Sequence, residues 1–186
     1  MNYIVTGLIC SGKSTFLNTA IEYGFDILKS DEVISVLYND KDVISKLSNT
    51  FKEYKFEDTP KETIKQLFYR SESNRIKIEN IFHPKVHKII KNKLESNKNI
   101  LIEVPPLKNN INIIKNNKSI FIESSLETRR KRFQSRNMNN SINFFDKLDK
   151  YQSDYLLIKS YCDIIIKNDS NDVLLSEYFK KEIIKS

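Results

Sequence analysis

Glycine is scarce in this chain, at three residues in 186, and proline adds only four. Collagen-like repeats and Gly/Pro-rich linkers are therefore excluded. Tryptophan is absent, and two cysteines, Cys10 and Cys162, do not make a disulfide framework. No apolar run approaches the roughly 20 residues that a bilayer-spanning helix requires. The N-terminus enters YIVTG directly, with no basic region and no small-residue cleavage site, so no secretory signal is expected. These absences predict a soluble, cytoplasmic protein with no membrane partner. Hydrophobic residues make up 39% of the chain, enough for a packed core rather than disorder. One domain is expected over 1–186.

Acidic charge is the minority: 31 Lys and Arg stand against 24 Asp and Glu, a formal charge of +7. That excess favours an anionic partner. It is mostly lysine, spread along stretches such as LKNNINIIKNNK that read as compositional drift. No platform of interleaved aromatic and basic residues is evident, so the expected partners are small molecules rather than nucleic acid. The chain is expected to act as a monomer or weak homo-oligomer.

Five short apolar runs read as strands: Tyr3–Thr6, Phe25–Lys29, Ile100–Val104, Ile120–Ile122 and Ile164–Lys167. They are rich in Ile and Val with little polar alternation, the pattern of parallel strands buried on both faces. Helical patterns lie between them, over Ser14 to about Glu22, Glu32–Tyr38, Lys61–Leu94 with a break at Pro84, Leu126–Arg136, Phe144 to about Tyr161 and Asp172–Ile184. Alternating strands and helices predict an α/β fold, a three-layer arrangement with a five-stranded parallel sheet and helices on both faces. The helical stretch between the second and third strands is too long for a simple crossover and predicts an insert at about 32–98.

Two of the three glycines fall in one motif. Gly7-Leu8-Ile9-Cys10-Ser11-Gly12-Lys13-Ser14 fits G-x-x-x-x-G-K-[ST], the P-loop, with a strand before it and a helix after it. Glycine lets the backbone curl so that successive N–H groups face phosphate oxygens, and the helix adds its positive end. The candidate ATP-binding residues here are Gly7, Cys10, Ser11, Gly12, Lys13, Ser14 and Thr15. Lys13 is expected to reach the β- and γ-phosphates, a catalytic role, and the Ser14 hydroxyl to ligate Mg2+. Cys10, beside a lysine and a helix N-terminus, is expected to have a lowered pKa. No N-K-x-D motif accompanies the loop, which speaks against a GTPase. Glu103, in ILIEV, is the nearest candidate for the metal-organising acid of motor-type ATPases. Small size and the helical insert favour a small-molecule kinase.

Arginine is used sparingly, and four of the six fall within Arg129–Arg136. Arg129, Arg132 and Arg136 share one helical face, and guanidinium grips phosphate in a planar fork that lysine lacks. They predict a lid over the triphosphate at about 129–155, with Arg132 and Arg136 as ATP contacts. A solvated basic helix is the bland alternative. Leu126 and Phe133 are expected to dock the opposite face on the core.

Over nearly its whole length the chain resembles dephospho-CoA kinases. The carrying residues are the P-loop; ILKSD with Asp31; IFHPKVH with His83 and Pro84; IEVPPL with Pro105; the arginine-rich helix; KYQSD with Gln152; and CDIIIKN with Asp163 and Asn168. The resemblance implies a P-loop kinase fold and transfer of the γ-phosphate of ATP, with Mg2+, to the ribose 3′-hydroxyl of dephospho-CoA. It implies that the insert binds the acceptor, that Asp31 is the general base and an acceptor contact, that His83 and Pro105 line the acceptor site, and that Arg136 serves catalysis. The residues alone leave Asp31 equally readable as a helix N-cap, and His83 as a cap for a helix opening at Pro84. A metal pair of His83 with His87 is disfavoured for want of a third ligand. Asn168 is expected either at the adenine or in a turn. The chain departs from the family pattern at Leu8, Cys10, Lys29, Ser35 and Asn109, which keeps a nucleoside monophosphate or other small-molecule P-loop kinase as the alternative.

Overall fold

The computed structural model describes residues 1–56, 60–136, 142–153, 156–169 and 173–184. Five strands, β1 (Asn2–Thr6), β2 (Asp26–Leu28), β3 (Ile100–Glu103), β4 (Ser119–Glu123) and β5 (Ile164–Lys167), form one sheet in the order β2-β3-β1-β4-β5. All neighbours are parallel, with Val5 opposite Glu103 and Thr6 opposite Phe121. Tyr3, Val5, Ile120, Ile122 and Ile166 pack against Phe16, Leu17 and Ala20 of α1 (Lys13–Glu22) and against Leu175 and Phe179 of the C-terminal helix (Val173–Phe179). The alternate residues Ile4, Ile102 and Phe121 are equally buried. Both faces of the sheet are thus covered, which is why these strands carry almost no polar alternation.

The chain divides into two compact units, Met1–Lys29 with Asn97–Ser186, and Ser30–Ser96. The first holds the sheet. The second is helical: α2 (Ser30–Leu37), α3 (Lys41–Thr50), α4 (Pro60–Arg70) and α5 (Glu72–Ser96) enclose Leu37, Val43, Leu47, Phe56, Ile64, Leu67, Ile78 and Phe82. Helix α3 was not legible as a separate element. Its signal was Asp40, whose carboxylate accepts from the N–H groups of Asp42 at 2.9 Å and Val43 at 3.0 Å, an N-cap.

The break expected at Pro84 is absent, since α5 runs through it. Proline has no N–H to donate to the preceding turn, yet packing of Ile78, Phe82 and Ile90 on either side keeps the helix continuous. The interruption falls instead at Ser71, whose hydroxyl accepts from the Asn74 N–H at 3.2 Å, so a serine cap starts α5. The remaining elements are a 3-10 turn (Lys108–Asn110), α6 (Ile111–Lys115), α7 (Leu126–Arg136), α8 (Ile142–Ser153), a second 3-10 turn (Leu156–Tyr161) and α9, the C-terminal helix already given. Parts of the expected lid at 137–141 and 154–155 lie outside the described residues.

Candidate phosphate-binding site

The loop between β1 and α1 is built from three residues with positive φ: Gly7 at 147°, Cys10 at 58° and Gly12 at 104°. A Cβ on Gly7 would stand 2.4 Å from the Ile122 carbonyl oxygen, and one on Gly12 would stand 2.1 Å from Asn168 Nδ2. Both glycines are therefore fixed by close approach as well as by φ. Ser11 is fully buried, and its hydroxyl has no hydrogen-bond partner. It contributes backbone rather than side chain. Ser14 is exposed and Thr15 half-buried in the first turn of α1.

Lys13 curls back over the loop. Its Nζ donates to the carbonyls of Gly7 at 2.9 Å and Leu8 at 3.0 Å and lies 3.8 Å from Glu103 Oε1. Glu103 ends β3 in register with Val5, so the parallel pairing delivers this carboxylate beside the loop. An exposed hydroxyl at Ser14 and a carboxylate at Glu103 are hard oxygen donors of the kind Mg2+ takes alongside water and phosphate. Among the described residues no cluster of three or more His, Cys, Asp or Glu could hold a metal by itself.

The three arginines of the α7 face have separate fates. Arg129 is 4% exposed; its Nε donates to the Ser124 carbonyl at 3.1 Å and its Nη1 bonds Asp149 of α8. It anchors the helix. Arg132 Nη1 reaches the carbonyls of Ser11 at 3.3 Å and Cys10 at 3.5 Å and Ser124 Oγ at 3.0 Å. Arg136 is exposed at the end of α7, where its charge reaches Cys10. Phe133 is buried as expected, but Leu126 is 45% exposed and does not dock on the core. From α8, Gln152 Oε1 accepts the Ile9 N–H at 2.6 Å.

Cys10 corrects an expectation. Its thiol pKa is raised, not lowered: burial outweighs the opposing pull of Arg136, Lys13, Arg129 and Arg132. Asn168 is 1% exposed. Its Nδ2 donates to the Ser11 carbonyl at 2.8 Å and its Oδ1 accepts from Arg132 Nη2 at 3.4 Å, so both ends of the amide are committed to the loop and its brace. Ser124 was missed altogether. The only hint was its place at the carboxyl end of a strand, where such sheets gather function. Pro105, half-buried after β3, accepts at its carbonyl from Asn110 Nδ2 at 2.8 Å. Lys29, one of the departures, donates to Asn18 Oδ1 at 3.2 Å.

Inside the Ser30–Ser96 unit, Asp31 is exposed in the first turn of α2, one residue within the helix rather than at its cap. The phenol pKa values of Tyr38 and Tyr69 are raised, first by burial and then by the Asp31 carboxylate. His83 and His87 lie on one continuous helix with ring centroids 5.6 Å apart, so His83 caps nothing. Its pKa is lowered to about 4 by burial and then by His87.

A parallel sheet with a glycine loop between β1 and α1 and a lysine curled back over that loop defines a P-loop protein of the α/β class. The chain matches the dephospho-CoA kinase family over residues 3–173 and belongs to that family. It is thus a kinase that takes phosphate from ATP to convert dephospho-CoA to coenzyme A. No curated protein matches it. Among solved structures, TT1252 from Thermus thermophilus aligns with a TM-score of 0.80 at 18% identity, covering 100% of this chain and 96% of that one. A dephospho-CoA kinase from Campylobacter jejuni aligns at 0.68 and 23% identity, covering 99% and 96%. Shikimate kinase from Bacteroides thetaiotaomicron aligns at 0.61 and 11% identity, covering 99% and 98%.

Proposed function

We propose that the chain holds Mg-ATP on its Gly7–Thr15 loop, and that Asp31 takes the proton of the acceptor's ribose 3′-hydroxyl as the γ-phosphoryl group is transferred. The observation that carries the ATP half is the curled loop itself, with its three positive-φ residues and Lys13 tethered across it. Phosphoryl transfer needs alignment and charge neutralisation more than covalent help. Lys13 supplies a cation for the β- and γ-phosphates, and Arg136 a guanidinium from α7 for the charge that builds up in transfer. Ser14 and Glu103 would hold Mg2+, which would supply charge neutralisation for the phosphates. Arg132 and Asn168 serve ATP through the loop rather than through the base.

The acceptor half rests on family membership. Asp31 supplies the base, and His83 and Pro105 supply acceptor contacts. With its pKa near 4, His83 is neutral at physiological pH and meets the acceptor by hydrogen bonding rather than as an ion pair. Two free, half-buried cysteines suit a reducing compartment, and we place the enzyme in the cytoplasm as a monomer or weak homo-oligomer. Among the described residues no helix is long and apolar enough to cross a membrane. Asp31→Asn keeps the shape and removes the base. It should lower kcat by about 10²–10⁴-fold while the Kd for ATP, measured by calorimetry, stays within twofold. Near-normal turnover in that variant excludes Asp31 as the base.

A further inference from the structure

One carbonyl in the loop is held unusually firmly. The Ser11 oxygen accepts from Asn168 Nδ2 at 2.8 Å and Arg132 Nη1 at 3.3 Å, and Ser124 Oγ lies 3.1 Å from it. The three partners come from three places in the fold: the end of β4, the middle of α7 and the residue after β5. They also bind one another. Arg132 Nη1 donates to Ser124 Oγ at 3.0 Å, Arg132 Nη2 to Asn168 Oδ1 at 3.4 Å, and the Ser124 hydroxyl is shared with the Asn168 carbonyl. The Asn168 backbone is pinned in turn, its N–H donating to the Glu123 carbonyl at 2.7 Å. Ser11, Ser124 and Asn168 are all buried.

In a planar trans peptide the C=O and the following N–H point in opposite directions, and the chain has no cis peptide bonds. Holding the Ser11 carbonyl toward β4 and β5 therefore turns the Gly12 N–H the other way, outward from the brace. A glycine loop left to itself would sample other peptide orientations. Here a flipped peptide would strand the buried Asn168 Nδ2 donor without its acceptor and take one acceptor from the half-buried Arg132. The fit is reciprocal: only a residue without Cβ at position 12 admits the Asn168 amide, since that atom would lie 2.1 Å from Nδ2.

We propose that Ser124, Arg132 and Asn168 form a tripod that presets the Ser11–Gly12 peptide to receive polyphosphate, making Ser124 and Asn168 positioning residues for phosphoryl transfer. The inference rests on the phosphate-loop reading and not on the identity of the acceptor. It sets Asn168 apart from a base-reading residue, because its whole amide is spent on the loop.

The test is a pair of binding constants, for Mg-ATP and for Mg-tripolyphosphate, each by competition with a fluorescent ATP analogue. Asn168→Asp keeps the side-chain shape but replaces the donor with an oxygen facing the Ser11 carbonyl. It should weaken ATP and tripolyphosphate by the same factor, about tenfold or more. Ser124→Ala should weaken both equally by about two- to fivefold, and it decides the matter if Asn168→Asp does not fold. Loss of ATP binding with tripolyphosphate unaffected would show a base contact and overturn the proposal. So would unchanged constants in a folded variant, or tripolyphosphate that fails to compete on the wild-type protein.

Discussion

Cys10 sits in the left-handed region at φ 58°, in a loop whose other positive-φ positions are glycines. A side chain there costs about 1–2 kcal/mol relative to a relaxed backbone, and a β-branched one is worse. Cys10→Val should therefore destabilise the fold by about 2 kcal/mol and weaken ATP binding. Cys10→Gly should fall within about 1 kcal/mol of wild type, because relief of strain and added freedom in the unfolded chain oppose each other. Denaturant titrations with and without ATP measure both, and a Val variant as stable as wild type contradicts the strain. At this same position the sequence misled on chemistry. A lysine and a helix N-terminus nearby argued for a lowered thiol pKa, but proximity in sequence says nothing of burial, and burial wins.

Among the elements, α7 carries more than one duty on one face. Arg129 pairs with Asp149 where both side chains are nearly inaccessible, at 5% and 15%. Arg130 pairs with Asp146 at 2.6 Å in the open, at 46% and 42%. Replacing Arg129 with alanine leaves a largely desolvated carboxylate and should cost about 3–5 kcal/mol. Arg130→Ala should cost under about 1 kcal/mol. Equal losses in chemical denaturation would contradict this division. The i, i+3, i+7 spacing was legible, and so was its pairing with phosphate chemistry. Which arginine faces the core was not, because it depends on where α8 places Asp149. The same limit explains Pro84, which reads locally as a breaker, and α3, whose Asp40 cap gains a partner only when α5 brings Lys85 within 2.8 Å. The strands were the most legible part. A buried parallel sheet writes itself as near-continuous apolar runs, and all five stand within two residues of their expected ends. The P-loop was legible because glycine is otherwise so rare here. The tripod behind it was not, since Ser124 and Asn168 are remote in sequence and each is unremarkable alone.

At the scale of the molecule, the chain divides into two units: the sheet-bearing unit contains the Gly7–Thr15 loop, Lys13, Glu103 and the α7 arginines, and the Ser30–Ser96 unit contains Asp31 and His83. The excess of 31 basic over 24 acidic residues suits polyanionic small molecules as well as any larger partner. As a dephospho-CoA kinase, this chain phosphorylates the ribose 3′-hydroxyl of dephospho-CoA. The most direct test is ADP release with Mg-ATP across a panel of dephospho-CoA, AMP, dAMP, CMP, UMP, dTMP and no acceptor, with the product's phosphate located by NMR. Turnover is expected with dephospho-CoA alone, with a new phosphate at the 3′ position. Turnover with a nucleoside monophosphate in its place would contradict that expectation.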